Sequence, residues 1–337
     1  MPEKPAFPLG EVQKTLFLPL WGRAVETMKD HPLLSDPTAV KIMESVDFDF
    51  TTIARNMKSI TRHAWIARSL LIDRCVRGFL EEAPDATVVN IGCGMDTTFD
   101  RVDNGRVRWF DLDLPDVIAL RREFVPETPR RTLIASSFLD DSWFSRVATA
   151  GRLMLVAAGV FYYYEAHDIR GFFITLAERF PGADIIFDAA SPRGVKASNR
   201  LVLRAGGMSD KSPLRWGLEN AAVITSWDPR ISVVAEHLYF REAGLRLSPG
   251  ERIVGMISDA LRIQWLVHCR LGDTHVAIQA CKLLCMRNGE VWKTTTTCVM
   301  ILLLHPICSK LLSWQNLTQD CMKSWRLSHQ ATNDTEQ

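Results

Sequence analysis

This chain of 337 residues lacks several features, and each absence excludes a class of function. Neither charge dominates: 40 Lys and Arg against 39 Asp and Glu leave a net +1, with no long run of one sign. A nucleic-acid or polyanion binder would show such a footprint, so no nucleic-acid partner is expected. No apolar run is long enough to span a bilayer; the longest, Cys298 to Leu304, stops at His305-Pro306. The start, MPEKPAFPLGEVQK, has no continuous apolar segment, so neither secretion nor a membrane partner is expected and the predicted location is cytoplasmic. Cysteine is nearly absent from the first 260 residues, where only Cys75 and Cys93 occur; the other six lie between Cys269 and Cys321. Scattered thiols of this kind argue against a disulfide scaffold. No internal repeat is evident.

What is present suffices for a globular protein with a sizeable core. The chain is 47% hydrophobic and 23% charged, and its length allows one large domain or two small ones. The stretch from Val88 to Asp113, VVNIGCGMDTTFDRVDNGRVRWFDLD, organises the rest. It reads as an apolar strand, a turn built on Gly92 and Gly94, the start of a helix, and a second strand ending in Asp111-Leu112-Asp113. These are the parts of the nucleotide-binding half of a doubly wound α/β fold. The third glycine of a dinucleotide fingerprint is missing, and Thr97 stands in its place. That glycine lets a helix pack closely while its end receives a pyrophosphate, so its absence disfavours a nicotinamide or flavin oxidoreductase. S-adenosyl-L-methionine has a ribose and an adenine but no phosphate, and it suits a turn followed by an acid pair better.

Residues 11–80 read as helical, with Pro19 as an interruption and Ser35-Asp36-Pro37 as a helix start. One helix should bury Trp65, Leu70, Cys75 and Phe79, and Arg68, Arg74 and Arg77 on the same helix read mostly as a solvated face. After Pro84 come short branched runs, predicted as strands over 86–92, 106–112, 131–136, 153–158 and 183–188, alternating with helices such as 168–180. The predicted fold is therefore α/β: a Rossmann-like, mostly parallel sheet (85–272) beneath an N-terminal helical lid (1–84). The pattern loosens over 190–260, which reads as a mobile segment covering the substrate, and 261–272 is the candidate last strand. Residues 273–337 hold four consecutive threonines, Thr294 to Thr297, and five cysteines. They read as an atypical, partly disordered tail outside the core fold. Within it, Cys281-x3-Cys285 and His305-x2-Cys308 do not complete a paired zinc pattern, so no metal is expected.

Several side chains can carry chemistry. Gly92 and Gly94 let the backbone approach a ligand that a Cβ would hold away. Asp111 and Asp113, 19 and 21 residues beyond Gly92, can accept both hydroxyls of a ribose. Phe138 can pack on an adenine and Ser137 can bond to its amino group; core packing is the plainer reading of Phe138. Past the fourth strand, Ala158-Gly159-Val160-Phe161 leads into Tyr162, Tyr163 and Tyr164, which read first as a packed rim. Tyr163 and His167 are the candidates for removing a proton from an acceptor. Arg193 and Arg200 are candidates for pairing with an acidic acceptor.

The segments VQKTLFLPLWGRA, HPLLSDPTAV, VVNIGCGMDTTFDRVDNGR, WFDLDLPDVIALRR, LIASSFLD and AERFPGADIIFDAASP together resemble the leucine carboxyl methyltransferase superfamily. The likeness looks closest to its small-molecule O-methyltransferases of polyketide biosynthesis, the tetracenomycin type, and runs from about Val12 to Gly272. It implies a class I methyltransferase using S-adenosyl-L-methionine on a small-molecule substrate, with methyl transfer to a carboxyl or hydroxyl in secondary metabolism. N-methylation, or cofactor binding without catalysis, is the alternative. By resemblance, Arg68 grips the methionyl carboxylate of the cofactor, Gly92 and Gly94 form its turn, and Asp113 binds the ribose with Asp111 beside it. Ser137 and Phe138 meet the adenine. Where the superfamily carries an acid after the fourth strand, this chain has Ala158, lining the methionyl end. The tail beyond Leu271-Gly272 is the second departure. Neither acceptor nor oligomeric state follows from the sequence.

Overall fold

A computed structural model describes residues 15–147, 151–200 and 213–272, all within one compact unit. Both metal-like spacings of the tail, and the tail itself, lie outside these residues. Four helices come first: α1 Phe17–Thr27, α2 Pro37–Ser45, α3 Thr51–Asn56 and the long α4 Ser59–Glu82. Pro19 does not interrupt anything. It sits in the first turn of α1, where a backbone N–H has no helical acceptor, so its missing donor costs nothing. The Ser35-Asp36-Pro37 signal is realised in full: Asp36 accepts the Ala39 N–H as N-cap, and Pro37 opens α2.

Seven strands then form one sheet: β1 Thr87–Ile91, β2 Arg108–Asp113, β3 Arg131–Ala135, β4 Leu153–Ala157, β5 Asp184–Ala189, β6 Ser232–Leu238 and β7 Trp265–Arg270. Their order is β3-β2-β1-β4-β5-β7-β6. The first five run parallel; β7 is antiparallel to β5, and β6 to β7. The antiparallel edge strand β6 lies inside the segment expected only to cover the substrate. Its residues are mostly half-buried, with Val234 exposed, so it lacks the continuous apolar run that betrayed the central strands.

The sheet is buried on both faces, which is why its strands read as unbroken apolar runs. Val89, Leu155, Ile185, Phe187 and Val267 pack into a core rich in aromatic rings with Phe161, Phe173 and Trp265. The alternate residues Val88, Met154, Val156, Ile186 and Leu266 pack against Leu71, Val76 and Phe79 of α4. At the centre β1 and β4 are neighbours, and the chain steps outward through β2 and β3 on one side and through β5 on the other. A crevice opens at the carboxyl ends of strands at such a switch point. Among the described residues no helix is long and apolar enough to cross a membrane.

Candidate active site

A cavity occupies that crevice. Its floor is the carboxyl edge of the sheet, including Gly92, Gly94, Asp113, Ser137, Phe138, Ala158 and Gly159; its roof is α1 and α4, with Leu18, Trp65 and Arg68. Two stretches therefore meet here that are far apart in sequence, the glycine turn and the N-terminal helices.

The turn after β1 has a left-handed backbone, φ +57° at Gly92 and +46° at Gly94. A Cβ at Gly92 would stand 2.5 Å from Val160 Cγ2, so this position needs glycine for conformation and for space alike. The Gly94 N–H donates to Asp113 Oδ2 at 2.7 Å, and the Leu114 N–H donates to Oδ1 at 2.7 Å. The carboxyl of Asp113 thus sits on the turn, at the mouth of the cavity. Burial pushes it up to about 6, partly offset by those two N–H donors.

Asp111 departs from the sequence expectation. Strand alternation puts it on the same face as Asp113, but one repeat deeper, and it does not line the cavity. Its fully buried carboxylate accepts from Arg121 Nη2 at 2.9 Å, Arg131 Nε at 2.8 Å and Trp109 Nε1 at 2.9 Å. Burial alone would raise its pKa; Arg121 and Arg131 instead hold it below the usual range. Arg121 in turn donates to the carbonyls of Gly94 and Asp96, each at 2.7 Å. Asp111 therefore supports the turn through Arg121 and is closed to a ribose.

Thr97, at the place of the missing glycine, is fully buried, and its hydroxyl donates to Asp36. The short helix that follows, α5 Thr98–Val102, has its first N–H already bonded to Asp96 Oδ2 at 3.2 Å. A pyrophosphate at this helix end would have to displace the chain's own carboxylate. Burial favours the neutral acid at Asp96, but Arg101 and Arg23 overcome it and hold the group well below the usual range. The turn thus offers a close backbone approach and an acid without a phosphate cradle, which fits a phosphate-free adenosyl cofactor.

Phe138 takes the plainer reading, core packing, at the cavity wall. It packs edge-on against Tyr164, Phe172 and Phe161, with centroids 4.6, 4.8 and 5.7 Å away, and still lines the cavity. Ser137 lines it too, its Oγ accepting the Leu139 N–H at 3.2 Å. Arg68 reaches in from α4, a residue the helical pattern alone would leave among the surface arginines. Ala158 lies beside it on the cavity wall, half-buried.

Neither proton-removal candidate has the properties of a base. His167 is 81% exposed, pairs with Asp168 at 3.2 Å and does not line the cavity. Tyr163 does line it, its hydroxyl 2.9 Å from Thr15 Oγ1, but burial pushes the phenol up, only partly offset by that bond. It stays protonated at neutral pH and can offer only a hydrogen bond. Arg193 and Arg200 are exposed and outside the cavity, so the expected pairing with an acidic acceptor finds no support there. Among the described lining residues there is no histidine, lysine or glutamate. Sequence reasoning missed further occupants of the wall, among them Thr61, Ser198, Leu214 and Gln264, because nothing local distinguishes them.

Comparison with known proteins agrees with this geometry. Residues 17–176 match the family model described as leucine carboxyl methyltransferase. The tetracenomycin polyketide synthesis O-methyltransferase TcmP of Streptomyces glaucescens is 30% identical over 220 residues, 65% of this chain and 79% of that protein. The S-adenosyl-L-methionine-dependent methyltransferase dpfgK of Gibberella zeae is 31% identical over 144 residues, 39% of this chain and 48% of that one. A crystal structure of a DUF574 family protein from Streptomyces avermitilis is 14% identical, with a TM-score of 0.46 over 74% of this chain and 97% of that one, a likeness too slight to bear on the site. With a fingerprint that excludes a pyrophosphate, an acid seated on the glycine turn, and a relative matched over most of its length, the chain belongs to the leucine carboxyl methyltransferase family and is an S-adenosyl-L-methionine-dependent methyltransferase.

Proposed function

We propose that the protein methylates a small natural product at oxygen, with the cofactor held along the sheet edge and the acceptor under α1 and α4. The observation that carries this is one cavity joining the acid-bearing glycine turn to α1 and α4, with no histidine, lysine or glutamate among its described lining residues. When bound, S-adenosyl-L-methionine supplies an electrophilic methyl on a sulfonium. Asp113 accepts the ribose hydroxyls, Ser137 and Phe138 border the adenine, and Arg68 receives the methionyl carboxylate beside Ala158. Leu18, Trp65 and Tyr163 exclude water and fix the acceptor, so the rate comes from proximity and orientation. The two carboxylates of the described wall are committed, Asp113 to the ribose and Asp96 to Arg101, so the acceptor brings its own nucleophile. A carboxylate is ionised at neutral pH and meets that need; an acidic phenol meets it in part. The polyketide setting of the matched Streptomyces protein supports a polyketide acceptor.

The test is transfer of a labelled methyl group to a panel of aromatic carboxylic acids and phenols, with cofactor binding followed by calorimetry. Transfer is expected in the panel, and Asp113→Ala should weaken cofactor binding strongly. Undiminished binding in that variant would remove the ribose assignment. Ala158 carries a second reading, a cofactor-binding protein without transfer, since the resembling sequences place an acid there. Binding with no transfer to any acceptor favours it, and Ala158→Glu should then raise cofactor affinity.

A further inference from the structure

Asp188 lies next to the last position of β5 and is buried, yet it serves two groups of the cavity wall that belong to other elements. Its Oδ2 accepts Arg68 Nη1 from α4 at 2.7 Å, and its Oδ1 accepts the Gly159 N–H, just past β4, at 2.6 Å. The ladder pairs Ala157 with Phe187, which sets Asp188 alongside Ala158. Arg68, Ala158 and Gly159 all line the cavity; Asp188 lies behind them and does not. The guanidinium rests against the turn, for a Cβ on Gly159 (φ +77°) would stand 2.9 Å from Nη1. Tyr162 and Tyr239 bury their hydroxyls close enough for the Asp188 charge to push both phenols up, behind burial as the larger cause. The site therefore ties a helix side chain and a strand-end turn to one carboxylate.

We propose that Asp188 is a positioning residue: it fixes Arg68 to receive the methionyl carboxylate, and so makes the protein select cofactors with an intact amino-acid end. The inference rests on the assignment of Arg68 made above. An arginine is long and has many rotamers, and ordering it at the moment of binding weakens affinity. Held at Nη1 by Asp188, the planar fork has few orientations left, and its other N–H groups remain for a ligand. The pair also removes the cost of an unpaired buried guanidinium.

The test compares two ligands that share adenosine and sulfur. S-adenosylhomocysteine has the amino-acid end; 5′-methylthioadenosine lacks it. Asp188→Asn keeps an oxygen for the Gly159 N–H but removes the negative charge that holds Arg68. It should weaken S-adenosylhomocysteine about tenfold to a hundredfold, the value of a charged hydrogen bond, and leave 5′-methylthioadenosine unchanged. Arg68→Met should show the same selective loss, and the double variant should lose no more than Arg68→Met alone. Equal losses for both ligands, or none, in Asp188→Asn overturn the proposal. If Arg68→Met itself leaves S-adenosylhomocysteine binding intact, the assignment of Arg68 fails. If Arg68→Met weakens it while Asp188→Asn does not, only the role of Asp188 fails. Should the Asn variant not fold, Asp188→Glu keeps the charge and displaces it; the same selective loss is required of it, and an equal or absent loss again overturns the proposal.

Discussion

At the scale of single residues, the cavity is governed by one carboxyl that is uncomfortable without a ligand and several that are not. Asp113 is raised from 3.8 to about 6, so the cofactor-free fold holds its proton over a range in which the unfolded chain has lost it. The native state then binds more protons, and stability contributed by this group falls as pH rises from about 4 to about 6, levelling off above. Asp113→Asn should remove that slope, as melting curves across this range would show. Ribose hydroxyls donate to the ionised form, so cofactor affinity should drop about tenfold per pH unit below about 6. Calorimetry between pH 5 and 7 measures this, and a flat profile in the unsubstituted protein would contradict it. Asp113 was legible in the sequence from strand, turn and spacing. The different fate of Asp111 was not, because its partners Arg121 and Arg131 come from two other elements that only folding brings together. Asp188 was invisible for the same reason: its meaning depends on Arg68, 120 positions away.

At the scale of elements, the glycine turn and α2 are the parts whose disturbance should spread. Gly92→Ala meets both a left-handed backbone and Val160, and should cost about 1–3 kcal/mol of stability together with cofactor affinity. Pairing it with Val160→Ala relieves the contact but not the backbone, so only part of the loss should return in a denaturant titration. Asp36 caps α2, pairs with Arg23 at 2.8 Å and Arg101 at 3.1 Å, and accepts from Thr97. Asp36→Ala takes from buried Arg23 the carboxylate it is bonded to, while Arg101 keeps Asp73 at 2.8 Å, and should cost about 3 kcal/mol, a larger loss than an ordinary cap replacement. The parallel strands were readable because burial on both faces writes continuous apolar runs. β6 was not, since an edge strand packed on one side leaves residues such as Val234 exposed and borrows its pairing from β7.

At the scale of the molecule, every strand of the sheet lies between Thr87 and Arg270, and Gly272 closes against Pro181 at the sheet's far end. A chain ended after Ala277 should accordingly keep its melting temperature within a few degrees and its cofactor affinity within about twofold. A large loss of either would assign residues beyond 277 to the working fold. The shared carboxylate of Asp36 has a different consequence, for how such proteins can be recombined. The N-terminal helices supply both carboxylates bonded to Arg101, Asp36 from the start of α2 and Asp73 from α4, and Asp36 also accepts from Thr97 beyond β1. Swapping the first four helices for those of a relative, a natural route to a new acceptor range, therefore favours donors that carry acids at both of these positions. Acceptor diversity in this architecture should then arise by substitutions at independent wall positions such as Leu18 and Leu214 more readily than by exchange of whole segments.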